Sequence, residues 1–213
     1  MKKISIILAI VLCASVFFCV PVSATGEEVR LYVKASGTEV TAWVKTSDAV
    51  AVGAIQGAIK YEESDFDYDS AIANSGIAAN NATASSFADV DGATKFALVG
   101  NPSTGTSGEW ATLTYGTDEG TAMDFSLAGV KAFAVAGDSL AVTSKVIWPG
   151  DLNEDKTVNI LDYVRYKLIR LSEVSTPTVS ENMDVDMDGN YDNNNETWIS
   201  ADYQDLRNDI LGY

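Results

Sequence analysis

Histidine is missing from the 213 residues, and cysteine occurs only as Cys13 and Cys19. The absence of histidine removes the commonest general base and any histidine-ligated zinc. Both cysteines fall in the apolar run that follows Lys2 and Lys3 and closes on Val22-Ser23-Ala24, three small residues suited to cleavage. Residues 1–24 therefore read as a secretory signal peptide, with Thr25 as the expected mature start. The mature chain is then expected to carry no thiol nucleophile and no disulfide. Val16, Phe17 and Phe18 ahead of Cys19 make a poor lipoprotein signal, so free secretion is expected. Positive charge is scarce as well: 14 basic residues face 30 acidic ones, a net charge of −16 that becomes −18 without the two leader lysines. Such acidity disfavours nucleic acid and anionic membrane surfaces as partners. No later apolar stretch is long enough to span a bilayer, and no wall-sorting signal precedes Tyr213. Attachment to a cell surface is expected to run through a partner.

What the chain does have is oxygen at fixed intervals. In GDLNEDKTVNILD, the residues Asp151, Asn153, Asp155, Asn159 and Asp162 fall on positions 1, 3, 5, 9 and 12 of a twelve-residue calcium loop, and Thr157 at position 7 offers its carbonyl. A hard cation takes six to eight oxygens, so this spacing suits one calcium ion. Position 6 is Lys156 where glycine is usual, which predicts backbone strain of about 1 kcal/mol or less. Helical spacing follows in Tyr163, Tyr166, Ile169 and Arg170, with Val164, Leu168 and Leu171 expected to widen the apolar face. The preceding SKVIWPG reads as a strand ending at a Pro-Gly break, so no entering helix is available.

A second copy lies downstream. Asp184, Asp186, Asp188, Gly189 and Asn190 begin another loop, and WISADYQDLRNDIL parallels VNILDYVRYKLIRL when Asp202-Tyr203 is laid on Asp162-Tyr163. Asp202 stands seven residues later than a twelve-residue loop from Asp184 allows, through an insertion of roughly YDNNNET. That polar insertion either bulges outward and leaves the ligands in place or weakens the site. The first loop is expected to be the more dependable. An acidic, solvated tail that binds nothing is the plain alternative, and the repeated spacing with apolar residues locked to it argues against it.

Two loop-helix units near the C-terminus of an exported chain resemble a dockerin, the module that plugs cellulosome components into cohesins. The resemblance implies two calcium ions. It also implies recognition positions at Ile160 and Leu161 with Lys167 and Leu168 in the first unit, and at Ser200 and Ala201 with Arg207 and Asn208 in the second. One pair is apolar and the other is Ser-Ala, so one docking orientation is expected to be preferred.

Residues 29–147 are rich in Ala, Val, Thr, Ser and Gly, in short alternating runs broken by turn clusters, which reads as antiparallel β. Candidate strands are VRLYVK, EVTAWVK, VGAIQGAIKY, a weak one near SSFADV, KFALVG, EWATLTY, AMDFSLA, VKAFAVA and LAVTSKVIW. Two sheets packed face to face, a sandwich or jelly roll, would bury the inward set. In VGAIQGAIKY, Ile55, Ile59 and Tyr61 share one side with Gly57 and are expected in the core, leaving Ala54, Gln56, Ala58 and Lys60 outside. Trp43 and Trp110 sit inside strand patterns and read as core, although exposed tryptophans would form a sugar-stacking platform. The acidic run Glu62–Asp69 reads as a solvated loop. The Gly-rich GNPSTGTSGEW lacks the Lys-Ser/Thr of a phosphate-cradling loop.

Ahead of a dockerin-like tail, VGAIQGAIKYEESDF and the segments after it are similar to a cohesin. That likeness implies that Ala54 and Gln56 face a partner. The expected organisation is thus a signal peptide (1–24), a mainly β jelly-roll or sandwich domain of cohesin type (25–148), and a small α domain of two calcium loop-helix, or F-hand, units (149–213). The expected function is a secreted, non-catalytic adaptor. Its front domain receives the dockerin of another protein, and its tail docks into a cohesin of a scaffoldin in a polysaccharide-degrading complex. No carboxylate pair stands in an apolar setting suited to glycoside hydrolysis. Two alternatives remain: a carbohydrate-binding module carried by the dockerin, and a structural surface protein whose acidic tail only binds calcium.

Overall fold

Alternating apolar and polar residues lay down nine strands within the residues that the structure, a computed structural model, describes: 26–47, 52–73, 84–105, 108–118, 124–187 and 201–212. The strands are β1 (Glu27–Ser36), β2 (Glu39–Thr46), β3 (Val52–Lys60), β4 (Phe66–Ala73), β5 (Ala84–Asp89), β6 (Ala93–Val99), β7 (Gly108–Thr117), β8 (Ser126–Ala134) and β9 (Val142–Ile147). They form a five-stranded sheet in the order β4-β7-β2-β1-β9 and a four-stranded sheet in the order β5-β6-β3-β8. β1 pairs with β2 antiparallel and with β9 parallel.

Period-two alternation turns one side of each sheet inward. Leu31, Val33, Val44, Ile55, Ile59, Leu98, Trp110 and Leu113 fill the space between the sheets and are essentially inaccessible to solvent. The face assignment in β3 holds: Ile55, Ile59 and Tyr61 are buried, whereas Gln56 and Lys60 are exposed. Gly57 is small for a reason, since a Cβ there would lie 2.9 Å from the Phe96 ring. Trp110 donates its indole N–H to Thr46 Oγ1 at 2.9 Å, which satisfies its polar atom inside the core. One end is closed by the rings of Tyr61, Phe66, Tyr115 and Phe125.

Three expectations change. AMDFSLA and VKAFAVA do not make separate strands: β8 runs through Gly129, whose φ of +60° lets the strand bulge without ending. The acidic run is a loop only at its start, because Phe66 is buried and begins β4, paired to β7. Trp43 lies on the outer side of β2, half-buried beside Tyr32 of β1, and only Trp110 belongs to the core.

The chain leaves β9 at Pro149-Gly150. Gly150 has φ +93°, and a Cβ there would sit 3.1 Å from Leu206 and 3.2 Å from Val158, so the turn needs both the left-handed conformation and the missing side chain. Helices α1 (Ile160–Arg170) and α2 (Ala201–Leu211) follow, with a 3₁₀ turn at Ser180–Met183 between them. Leu152, Tyr166, Ile169, Met183, Val185 and Leu206 form a second apolar cluster. This part lies against the edge of the five-stranded sheet: Lys34 pairs with Asp209 at 2.7 Å, and Lys145 pairs with Glu181. Among the described residues no helix is long and apolar enough to cross a membrane.

Candidate functional site

The first loop is organised by its own backbone amides. Asp151 and Asp162 are fully buried. Asp162 Oδ1 accepts from the N–H groups of Leu152 (2.8 Å) and Asn153 (3.0 Å), while its Oδ2 accepts from Asn159 N–H (2.8 Å). Asp162 is thereby both the twelfth loop position and the acidic member of the α1 capping box, with Asn159 as N-cap accepting from Leu161 N–H. Asp151 accepts from Asp155 N–H and Lys156 N–H, and Asp155 from Thr157 N–H. Asn153 donates its amide to Asp155 Oδ2. Asn159 Nδ2 donates to the Thr157 carbonyl. Tight winding costs left-handed backbone at Glu154 (φ +64°) and Lys156 (φ +65°), and the latter is the strain expected at position 6. The Lys156 ammonium turns outward to Asp124, leaving the loop interior to oxygen atoms.

Burial raises the Asp151 pKa, and the nearby Asp162 charge adds to that against the hydrogen bond from Lys156 N–H. A cation would reverse this penalty. Each buried carboxylate keeps lone pairs beyond those taken by amides, so the donor set fits a hard divalent ion.

The second loop repeats the first through a longer chain. Val185 N–H donates to Asp202 Oδ1 at 2.9 Å, as Leu152 N–H does to Asp162, and Met187 (φ +60°) repeats the twist of Glu154. Oxygens of Asp184, Asp186 and Asp202 all lie within 4.8 Å of one another. The insertion therefore leaves Asp202 in register with Asp184 and Asp186. Position 3 is thus an acid, Asp186, in the second loop and the neutral Asn153 in the first. Asp188 and Asn190 lie outside the described residues, as does Ser200.

The helices repeat too. Tyr163 and Tyr203, equivalent positions, stack at 4.9 Å with their hydroxyl groups hydrogen-bonded, and Tyr166 and Leu206 occupy matching buried sites. The apolar face of α1 is narrower than expected. Tyr166 and Ile169 are buried, but Val164 and Leu171 are exposed on another side with Ile160 (53% exposed) and Leu161 (60% exposed). Lys167 is exposed and Leu168 half-buried; on α2, Ala201 and Arg207 are exposed and Asn208 half-buried. Ile160, Tyr163, Arg207, Ile210 and Leu211 line a notch of about 60 Å³ between the helices. Far from these, Ala54 and Gln56 lie on the outer side of the four-stranded sheet.

One organising residue gives no signal in the repeat. The buried Asn182 accepts from Trp148 N–H through Oδ1 (3.1 Å), accepts from Gly150 N–H through its carbonyl (2.7 Å), and donates from Nδ2 to the Asp151 carbonyl (2.8 Å). It ties the end of β9 to the start of the first loop from a place two residues ahead of the second.

Residues 149–199 match the model of the dockerin type I domain, a match that covers the first loop and α1 and ends inside the second loop, ahead of Asp202 and α2. Dockerins of this type are calcium-binding domains. No curated protein matches the chain. Among solved structures, the chain is similar to a non-cellulosomal cohesin from the hyperthermophilic archaeon Archaeoglobus fulgidus, with 14% identity over 57% of this chain and 87% of that one and a TM-score of 0.45. It is also similar to the sixth cohesin of scaffoldin B from Acetivibrio cellulolyticus, solved with a dockerin, at 18% identity, 57% and 98% coverage and a TM-score of 0.47. A type II cohesin domain from the cellulosome of the same organism gives 16% identity, 57% and 91% coverage and 0.41.

Proposed function

We propose that the chain is a secreted, non-catalytic adaptor with a β-sandwich domain (25–148) that receives a partner and a dockerin domain (149–213) that docks into a cohesin. The observation that carries this reading is the convergence of Asp184, Asp186 and Asp202 across an insertion, in the hydrogen-bond pattern of the first loop. The dockerin type I match over residues 149–199 supports it independently. Asp151, Asn153, Asp155, Asp162, Asn159 and the Thr157 carbonyl would hold one calcium ion. Asp184, Asp186 and Asp202 would hold a second, with Asp188 and Asn190 assigned to it from sequence alone. Bound calcium supplies the positive charge that lets buried carboxylates share a small volume.

The chain's own part is to convert that gathering into shape. Asp162 and Asp202 link each loop to the start of its helix, so filling the loops sets α1 beside α2. The exposed Ile160, Leu161, Lys167 and Leu168 would then meet a cohesin, together with Ala201, Arg207, Asn208 and the sequence-assigned Ser200. The sandwich would take a dockerin of another protein on the sheet face that holds Ala54 and Gln56. Such an adaptor joins a polysaccharide-degrading complex without catalysing anything.

Calorimetry of the full chain against panels of cohesins and of dockerins, in calcium and in chelator, tests both ends. Calcium-dependent binding to a cohesin and binding of a dockerin are expected. Binding of soluble polysaccharide by the sandwich, with no dockerin bound, would replace the adaptor by a carbohydrate-binding module.

A further inference from the structure

Resting on the reading that a dockerin docks on the four-stranded sheet, we infer that the partner's docking surface is acidic. The argument begins with how few cations there are and where they sit. The described residues 26–148 hold seven basic side chains. Arg30, Lys34, Lys45 and Lys145, on β1, β2 and β9, all make ion pairs. The other three, Lys60, Lys95 and Lys131, lie on β3, β6 and β8 of the opposite sheet, are exposed, and make no ion pair among the described residues.

Strand register places all three on one face. Lys95 stands opposite Ala58 and Lys131 opposite Gln56, with Lys60 further along β3. Adjacent strands lie about 4.8 Å apart and the two positions are offset by two residues along β3, so the backbones at Lys95 and Lys131 are roughly 12 Å apart. That is about one and a half Debye lengths at physiological salt, so the lysines act as separate charges that one carboxylate-bearing surface can meet together. β3, β6 and β8 contain no Asp or Glu, in a chain with 30 acidic residues. Between the lysines the surface is small: Ala54, Gln56, Ala58 and Ala97.

A lysine on an outer strand commonly guards a sheet edge against pairing, but Lys60 and Lys95 are on inner strands of this sheet. A flat floor of small residues ringed by three unpaired ammonium groups fits a protein surface that brings carboxylates.

The test uses the full calcium-loaded chain and a panel of dockerin modules sorted by the sign of charge on their exposed helix faces. Acid-faced dockerins are expected to bind and basic-faced ones to fail. The triple variant Lys60→Glu, Lys95→Glu, Lys131→Glu should associate with an acid-faced dockerin at least about tenfold more slowly, whereas the triple Lys→Arg variant should bind as the native chain does. Circular dichroism and melting of each variant check that the sandwich is intact. Equal binding of both classes, or no effect of the charge reversal, overturns the inference while leaving the docking reading standing. If no dockerin of either class binds, the docking reading fails and takes the inference with it. Retention on polygalacturonate that the Lys→Glu variant abolishes would also overturn it, because the face would then serve an anionic polysaccharide.

Discussion

Replacing Asp202 with Asn should change the chain's stability in opposite directions with and without calcium. Asp202 is 2% exposed, and its oxygens lie within 4.8 Å of those of Asp184 and Asp186. At an effective dielectric of about 20, each unit-charge pair at that separation repels by about 3.5 kcal/mol, and the substitution deletes two of the three pairs. Side-chain rotation and screening reduce the recoverable part to about 1–2 kcal/mol. Against this, the hydrogen bond from Val185 N–H to Asp202 survives but weakens, at a cost of about 1 kcal/mol, because its acceptor is no longer charged. In chelator the variant should therefore be as stable as the parent or up to about 1 kcal/mol more so, a Tm rise of up to roughly 2–4 °C for a chain of this size. In excess calcium, loss of one charged ligand should weaken the site about 10- to 100-fold, or about 1.4–2.8 kcal/mol. The Tm then falls by several degrees. Scanning calorimetry of both proteins in both buffers measures the four values. If the variant is destabilised equally in chelator and calcium, the carboxylates act only as hydrogen-bond acceptors and the metal reading is wrong.

Three further outcomes are expected. Ile160→Asp with Leu161→Asp should weaken cohesin binding more than Ser200→Asp with Ala201→Asp, by about tenfold or more; equal losses in calorimetry would refute a preferred docking orientation. Lys156→Gly should remove left-handed strain of about 1 kcal/mol while losing the Lys156–Asp124 contact, whose exposed geometry is worth less. A net gain of a few tenths of a kcal/mol is expected in chemical denaturation. Burial raises the Glu181 pKa, but the hydrogen bond and charge of Lys145, with hydrogen bonds from its own backbone N–H and from Ser180, outweigh it and hold the carboxyl below its ordinary value. Its contribution is thus present above the unfolded-state pKa and lost as pH falls through the lower folded value. Protection of the β9 amides, measured against their intrinsic exchange rates, should fall in that acid window, and Lys145→Met should reduce the dependence.

Most of the sandwich was legible because period-two alternation survives wherever one face is buried. β3 is the clearest case, with Ile55 and Ile59 inward and Gln56 and Lys60 outward. The errors have local causes. A single Gly129 in the left-handed region looks like a strand break, yet both neighbours of β8 in sequence stay on one strand because the bulge absorbs the extra residue. In EESDFDYD the charges hid a buried Phe66, whose place is decided by its contact with Phe125 and its pairing with Thr117 far along the chain. Trp43 alternates as a core residue would, but nothing in alternation says which of two faces a β2 side chain takes.

The candidate site was legible for a different reason: its ligand positions are set by spacing along one short loop, and that spacing had an internal copy to check it. Spacing alone failed at Asp202, seven residues out of place. The discrepancy resolves because a loop with a buried carboxylate at each end needs only those ends held, by Val185 N–H and by the start of α2, while residues between them can be added without moving the oxygens. Asn182 was invisible to the same reasoning, since it belongs to neither copy. Its amide joins backbone of β9 to the Asp151 carbonyl across 31 residues, so its role exists only once the two units and the sheet are packed together. Repetition reveals what each unit must keep, and it is silent about what joins the units to something that is not repeated.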